Sequence, residues 1–287
     1  MKAGTRTTKR EVMKELKDIL KELSVTFIHG DQAKIISGVT ADSREVRAGS
    51  LFIAVRGTKS DGHAFISKAV ETGAAAVICE QLPDTLHEGV TMIVVADSAA
   101  ATGMAASAFY DHPSRRLKLT GVTGTNGKTT IATLLYNMFD ALGYKCGLLS
   151  TVCNYVFRTR RDATHTTPDP VKLNALLAEM VDQGCEYAFM EVSSHAVDQK
   201  RIAGLHFAGG IFTNLTHDHL DYHKTFDNYL AAKKKFFDGL TPEAFSLVNT
   251  DDRNGSIMVQ NCRASKQTFS MRSMADYRCN IIEQGFE

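Results

Sequence analysis

The chain lacks a charge excess of either sign: 33 basic residues stand against 32 acidic ones, for a formal net charge of +1. It also lacks a basic stripe interleaved with aromatics, which argues against a nucleic-acid partner, and Lys233-Lys234-Lys235 is too short a run to alter that. No apolar run approaches the roughly 20 residues a membrane-spanning helix needs. The basic stretch Met1 to Arg10 passes straight into the charged segment Glu11 to Asp18, with no apolar core of a signal peptide. The expected compartment is therefore the cytoplasm, and no membrane partner is expected. The cysteines, at 79, 146, 153, 185, 262 and 279, form no CxxC pair and no metal-finger spacing, so they read as reduced thiols. Internal repeats and low-complexity tracts are absent too.

What is present suits about two globular domains: 287 residues, 44% of them apolar. Val12, Leu16, Ile19, Leu20 and Leu23 share one helical face, which predicts a short amphipathic helix over 12–23. Brief β-rich runs follow at Leu51–Val55, Ala75–Cys79 and Met92–Ala96, with a helical stretch from His63 to Thr72 that ends at Gly73. These predict a small α/β domain over residues 1–113. A helix of small residues, Ala99 to Tyr110, stops at Asp111-His112-Pro113-Ser114, the expected hinge. Beyond it, strands are expected at Lys118–Val122, Gly147–Thr151, Tyr187–Glu191, Gly210–Thr213 and Phe245–Asn249, alternating with helices near 129–142, 170–183 and 226–238. Strict alternation predicts an α/β fold with a doubly wound parallel sheet over 114–287, and ligands at the carboxyl ends of its strands. The tail is charged and weakly patterned, with no closing element expected.

Polar motifs fall where these strands end or the next helix opens: Gly124-Thr-Asn-Gly-Lys-Thr-Thr130, Thr166-Thr167-Pro168, Glu191-Val-Ser-Ser-His195, His217-Asp-His-Leu-Asp-Tyr-His223 and Ala231-Ala-Lys233. The first has the strand-to-helix context of a phosphate loop, with Gly124, Thr125, Asn126, Gly127, Lys128, Thr129 and Thr130 as the nucleotide-binding set. Backbone N–H groups would attract phosphate oxygens, Lys128 would meet the β/γ-phosphates, and the Thr129 hydroxyl would reach magnesium. The strict pattern GxxxxGK[ST] wants glycine where Val122 stands; Gly121, Gly124 and Gly127 are expected to keep the loop permissive. Glu191, ending an apolar strand, can hold magnesium through hard oxygen ligands, against the plainer reading of a strand-end solvating charge. The hydroxyls of Thr166, Thr167 and Ser193 can bind an anionic substrate, or simply cap helices. The 217–223 segment is similar to the HxHxDH zinc signature of metallo-β-lactamase-type hydrolases, but its last histidine is one residue late and such an enzyme needs no phosphate loop. With magnesium as the metal, one histidine of the three is expected as a ligand and the others as structural or solvent-facing residues.

As a series these motifs closely resemble the ATP-dependent Mur ligases of peptidoglycan synthesis, and within them the branch that adds the third residue of the stem peptide. The resemblance runs from about Ser37 to Asp252. GTNGKTT is shared with the wider superfamily, folylpolyglutamate synthases included. More specific are Thr166-Thr167-Pro168, Glu191 to His195 followed by Gln199 and Arg201, and Phe212-Thr-Asn-Leu215 leading into Asp218 to His223. Asp42-Ser43-Arg44, Gly49 to Val55 and Asp61-Gly62 look like the family's uridine-binding domain.

The resemblance implies an amide-forming ligase that joins a diamino acid, meso-diaminopimelate or L-lysine, to UDP-N-acetylmuramoyl-L-alanyl-D-glutamate through an acyl phosphate. It implies ATP and two magnesium ions, one held by Thr129 and Glu191 and the other by Glu191 and His219. It also implies catalytic roles for Lys128, Glu191, His219 and Lys233, with Lys233 carried as a carbamate that serves as an anionic metal ligand. Ser43, Thr58, Lys59 and Ser60 would take the uridine diphosphate end; Thr166, Thr167, Ser193, Gln199 and Arg201 would take the sugar and peptide. His165 departs from members that place asparagine there. The family continues into a further C-terminal domain, so the resemblance implies a partial ATP-binding domain and a fragment without full turnover. No oligomer is implied. The competing readings are another ligase of the superfamily, of folylpolyglutamate type, and a non-catalytic nucleotide-binding module.

Overall fold

The computed structural model describes residues 12–57, 60–163, 165–218 and 220–280, and the chain divides into two compact units, Met1–Asp111 and His112–Glu287. The first unit holds β1 (Lys14–Glu15), α1 (Leu16–Leu20), β2 (Val25–His29), β3 (Ile35–Ile36), β4 (Gly38–Thr40), β5 (Ser50–Ile53), α2 (Ile66–Glu71), β6 (Ala74–Cys79), β7 (Thr91–Val95) and α3 (Ser98–Phe109). The helix expected over 12–23 is cut to five residues, because Lys14 and Glu15 pair as strand with Ile36 and Ile35. Its apolar face, Leu16, Ile19 and Leu20, is buried as the periodicity predicts. The sheet runs β2-β7-β6-β5-β4, parallel except for the edge strand β2. Parallel β4 and β5 send both the Asp42-Ser43-Arg44 turn and the residues that follow Ile53 off the same carboxyl edge.

The second unit holds β8 (Lys118–Thr123), α4 (Lys128–Ala141), β9 (Cys146–Leu149), β10 (Asn154–Val156), β11 (Thr159–Arg161), α5 (Pro170–Asp182), β12 (Tyr187–Glu191), α6 (Ser194–Asp198), β13 (Gly209–Phe212), α7 (Leu220–His223), α8 (Phe226–Asp238), β14 (Phe245–Asn249), α9 (Gly255–Met258), β15 (Ser265–Ser270) and β16 (Tyr277–Arg278). The sheet order is β11-β10-β9-β12-β8-β13-β14-β15-β16. In the sheet order every pairing from β9 to β16 is parallel, while β10 pairs antiparallel with both β9 and β11. Alternation along β12 decides the layers: Ala188 and Met190 face a core that includes Leu173 and Leu177 of α5 and Phe236 of α8, while Phe189 faces Ala132 and Tyr136 of α4. Helices thus cover both faces, as in a doubly wound α/β sheet. After β8 the chain moves outward to β9 and returns through β12, whereas β13 lies on the other side of β8. That reversal puts the carboxyl ends of β8, β12 and β13 around one crevice, where such sheets bind ligands.

Candidate active site

The turn from β8 into α4 is the candidate phosphate loop. Gly124 has φ +152° and Gly127 φ +85°, and a Cβ on Gly124 would lie 2.0 Å from Thr213 Oγ1. Glycine is required there by close approach. Gly121 is different: it lies inside β8, and a Cβ would meet Phe236 at 2.6 Å. The expectation that Gly121 loosens the loop is therefore corrected; it lets α8 pack on the sheet. The loop is braced from the end of β13. Asn214 Oδ1 accepts the Asn126 N–H at 2.9 Å, its Nδ2 donates to Asn126 O at 3.1 Å, and the Thr213 hydroxyl donates to the same oxygen at 2.6 Å. No side chain caps α4, so its leading N–H groups stay open toward the crevice.

Two lysines converge on this loop. Lys128 Nζ donates to the carbonyls of Gly124 and Thr125 at 2.9 and 2.8 Å. Lys233 Nζ reaches Gly124 O at 2.9 Å from α8 and lies 4.7 Å from the centre of the Tyr229 ring. Lys233 is 1% exposed. Burial, and then the neighbouring charge of Lys128, push its amine down to about 7. Burial also lowers Lys128. Lys234 turns away to pair with Asp238 at 2.6 Å, so the neighbouring lysines of this run do not share one environment.

Glu191 closes β12 with 1% of its surface exposed. Its Oε1 accepts from the Thr129 hydroxyl at 2.9 Å and the Thr151 N–H at 2.7 Å, and its Oε2 from the Thr151 hydroxyl at 3.2 Å. The Thr167 hydroxyl donates to Glu191 O at 2.9 Å, and the Thr166 and Thr151 hydroxyl oxygens lie 3.1 Å apart. Neither threonine caps α5; Asp169 does, accepting from Lys172 N–H at 3.0 Å. Ser193 does cap its helix, accepting from Ala196 N–H at 3.1 Å. Arg201 donates from Nη1 to Thr167 O at 3.0 Å and from Nε and Nη2 to Gln199 Oε1 at 3.0 and 2.6 Å. Burial lowers its pKa, and no carboxylate among the described residues forms an ion pair with it.

Lys128, Thr129, Thr166, Glu191, Ser193 and Arg201 line one cavity of about 340 Å³, and Lys233 joins the same lining. Ser43 and Ser60 lie in the first unit. Thr58, Lys59 and His219 lie outside the described residues. Among those described, no group of three His, Cys, Asp or Glu side chains could hold a metal ion, and no helix is long and apolar enough to cross a membrane.

The family profile for the Mur ligase middle domain matches residues 122–286, a span holding the phosphate loop, Glu191, Arg201 and Lys233. The chain belongs to the Mur ligase family. A second profile, for the Mur ligase family catalytic domain, matches residues 35–110. This Mur ligase chain is 58% identical over 273 residues to the UDP-N-acetylmuramoyl-L-alanyl-D-glutamate--2,6-diaminopimelate ligase of Phocaeicola vulgatus, a match covering 95% of this chain and 56% of that one. Identity and coverage are the same for the ligase of that name from Bacteroides fragilis. A solved structure of a ligase with this name superposes with a TM-score of 0.78 at 26% identity, covering 93% of this chain and 54% of that one. The chain spans about half the length of the curated relatives it matches.

Sequence reading of this Mur ligase missed Thr151, which holds both oxygens of Glu191, and Tyr229, whose hydroxyl lies 3.1 Å from Thr125 Oγ1. Tyr229 lies one helical turn before Lys233, a spacing that marks a shared face. A second cavity of about 760 Å³ was missed as well; it is lined by Asn214, Asn249, Asp251, Asp252, Met271 and Arg272 among others. Asn214 lies in its wall and in the brace of the phosphate loop, so this cavity adjoins the loop.

Proposed function

We propose that the complete protein is a cytoplasmic ligase that joins 2,6-diaminopimelate to the D-glutamyl carboxylate of UDP-N-acetylmuramoyl-L-alanyl-D-glutamate, with cleavage of ATP. The observation that carries this reading is a single cavity lined both by the phosphate-loop residues Lys128 and Thr129 and by the half-buried Arg201, which no carboxylate among the described residues pairs. A guanidinium there can clamp a substrate carboxylate or phosphate. The choice of diaminopimelate is supported by the names of the relatives at 58% identity.

In this reading ATP lies along the loop, with its nucleoside in the cavity beside Asn214. A carboxylate oxygen of the substrate attacks the γ-phosphorus, the bond to the bridging oxygen breaks, and ADP departs. The amine then adds to the acyl carbon of the acyl phosphate, and the tetrahedral intermediate expels phosphate as the amine loses a proton. Lys128 lies beside the transferring phosphoryl group, where fixed positive charge stabilises the transition state most. Arg201, Thr166, Thr167 and Ser193 hold the peptide end against it, so that attack is effectively intramolecular. Ser43, Thr58, Lys59 and Ser60 hold the uridine diphosphate end. Magnesium, when bound, neutralises charge on the phosphates; Thr129, Glu191 and His219 are the residues that would hold it. Glu191 fits that role, being a buried carboxylate given two hydroxyls and an N–H but no cation among the described residues. Lys233, whose amine burial brings down to about 7, can in its neutral form add CO2 with formation of an N–C bond and release of one proton, giving a carbamate.

The test is calorimetric titration of this chain with UDP-N-acetylmuramoyl-L-alanyl-D-glutamate. Saturable binding, weakened by both Ser43→Ala and Arg201→Ala, is expected. Retention of ATP binding with no response to the muramoyl dipeptide would overturn the substrate assignment.

A further inference from the structure

Arg201 owes its position to the way α6 ends. Lys200 takes a left-handed φ of +56°, its N–H donates to Val197 O at 3.1 Å, and the Arg201 N–H donates to Ala196 O at 2.8 Å. This is a Schellman turn, with lysine in the position glycine usually fills. It fixes the arginine backbone but leaves the long side chain to be held by other means. Gln199 does so, its Oε1 accepting from two nitrogens of the guanidinium. An amide has unlike ends, and only the oxygen end can face an arginine.

The residue that anchors the other, NH2 end of this amide is Tyr222. Its hydroxyl donates to Asp198 Oδ2 at 2.9 Å, and its oxygen accepts from Gln199 Nε2 at 3.3 Å. With its proton committed to Asp198, the tyrosine oxygen faces Gln199 as an acceptor, and so selects the NH2 end of that amide. The Tyr222 ring is in turn packed against His195, with centroids 4.1 Å apart. Asp198, Tyr222, Gln199 and Arg201 thus form a directional relay that ends in the cavity shared with Lys128. Among the described residues three of the five guanidinium N–H groups are used, on Gln199 and Thr167, which leaves two to meet a ligand.

We propose that Tyr222 is a positioning residue for substrate binding: by fixing the orientation of the Gln199 amide it aims Arg201 at an anionic group of the muramoyl peptide. The proposal rests on the reading of Arg201 as a substrate clamp. It gives the 217–223 segment a second role, distinct from that of His219. Without the hydroxyl, the NH2 end of the Gln199 amide loses its acceptor, the amide is held only by its bonds to Arg201, and both side chains lose their fixed direction together.

The experiment compares the whole chain with its Tyr222→Phe, Arg201→Ala and double variants, titrated separately with UDP-N-acetylmuramoyl-L-alanyl-D-glutamate and with ATP. Tyr222→Phe is expected to weaken the muramoyl ligand about 5- to 10-fold, the effect of one hydrogen bond, and to leave ATP unchanged. Arg201→Ala is expected to weaken it further, and adding Tyr222→Phe to that variant should change nothing more, since both act through one group. Equal effects of Tyr222→Phe in the two backgrounds would overturn the relay, as would loss of ATP affinity. A readout that needs no ligand separates this failure from failure of the functional reading. In NMR spectra the Arg201 Nε–Hε signal should be protected from exchange in the parent chain and lose that protection in Tyr222→Phe. Unchanged protection overturns the relay; altered protection in a chain that binds no muramoyl ligand overturns only the identity of what Arg201 clamps.

Discussion

Lys128 and Lys233, from different helices, direct their amines at one carbonyl oxygen, that of Gly124, each at 2.9 Å. Two amines on one acceptor cannot both stay comfortably charged in a buried place. Lys233, 1% exposed, is the one driven down to about 7.

The first prediction concerns stability against pH. In the unfolded chain Lys233 stays protonated up to its ordinary value of 10.5, whereas in the fold it is neutral above about 7. Between those limits unfolding takes up a proton, so this group makes stability rise with pH through that window. Denaturant melts in CO2-free buffer should show Lys233→Met more stable than the parent below pH 7. The gap should close toward pH 10; a gap independent of pH would contradict a depressed lysine.

A second prediction follows for the carbamate. With 13C-labelled bicarbonate, a carbamate carbonyl resonance is expected to grow as pH rises through about 7, where the Lys233 amine becomes neutral. It should vanish in Lys233→Arg, and its survival there would assign the signal to another amine.

The two glycines of the loop region should part company. Gly124→Ala places a Cβ 2.0 Å from Thr213 Oγ1 at a left-handed φ, and is expected to abolish ATP binding. Gly121→Ala crowds Phe236, Val192 and Phe207 and should cost about 1–3 kcal/mol of stability. Its ATP affinity, measured below the melting temperature, should stay near that of the parent.

Lys200 offers a stabilising change. Its φ of +56° is strained for a lysine and free for glycine, so Lys200→Gly should raise stability by up to about 1 kcal/mol by thermal melting. Lys200→Val, branched at Cβ, should lower it.

Asp169 and Thr167 should also separate. Asp169→Ala removes the cap of α5 and is expected to cost about 1 kcal/mol of stability. Thr167→Ala loses the bond to Glu191 O instead, so its main effect should appear in ligand affinity.

The sheet of the second unit was legible because its buried parallel strands are short apolar runs between helices with a strong 3.6 period: α5 and α8 begin and end within a residue of where the pattern puts them. The β10–β11 hairpin was not, since Thr159, Arg160 and Arg161 are polar edge residues with no face to bury. Edge strand β2 was hidden likewise, by a register shift at Phe27 that breaks its alternation. The motifs of the candidate site could be read one loop at a time, each from local chemistry. What could not be read was the set of bonds between loops, such as Thr151 to Glu191 or Asn214 to Asn126, because those depend on strand order rather than on spacing along the chain.

The double grip of Asn214 on Asn126 has a thermodynamic meaning. The same residue lines the cavity of about 760 Å³ beside the loop. A ligand group that orders Asn214 from that side also orders the Asn126 peptide on the other, so on the proposed placement of ATP the two halves of the nucleotide are expected to bind cooperatively. By linkage the coupling is mutual: a nucleoside alone should raise affinity for inorganic triphosphate, and triphosphate should raise affinity for the nucleoside by the same factor.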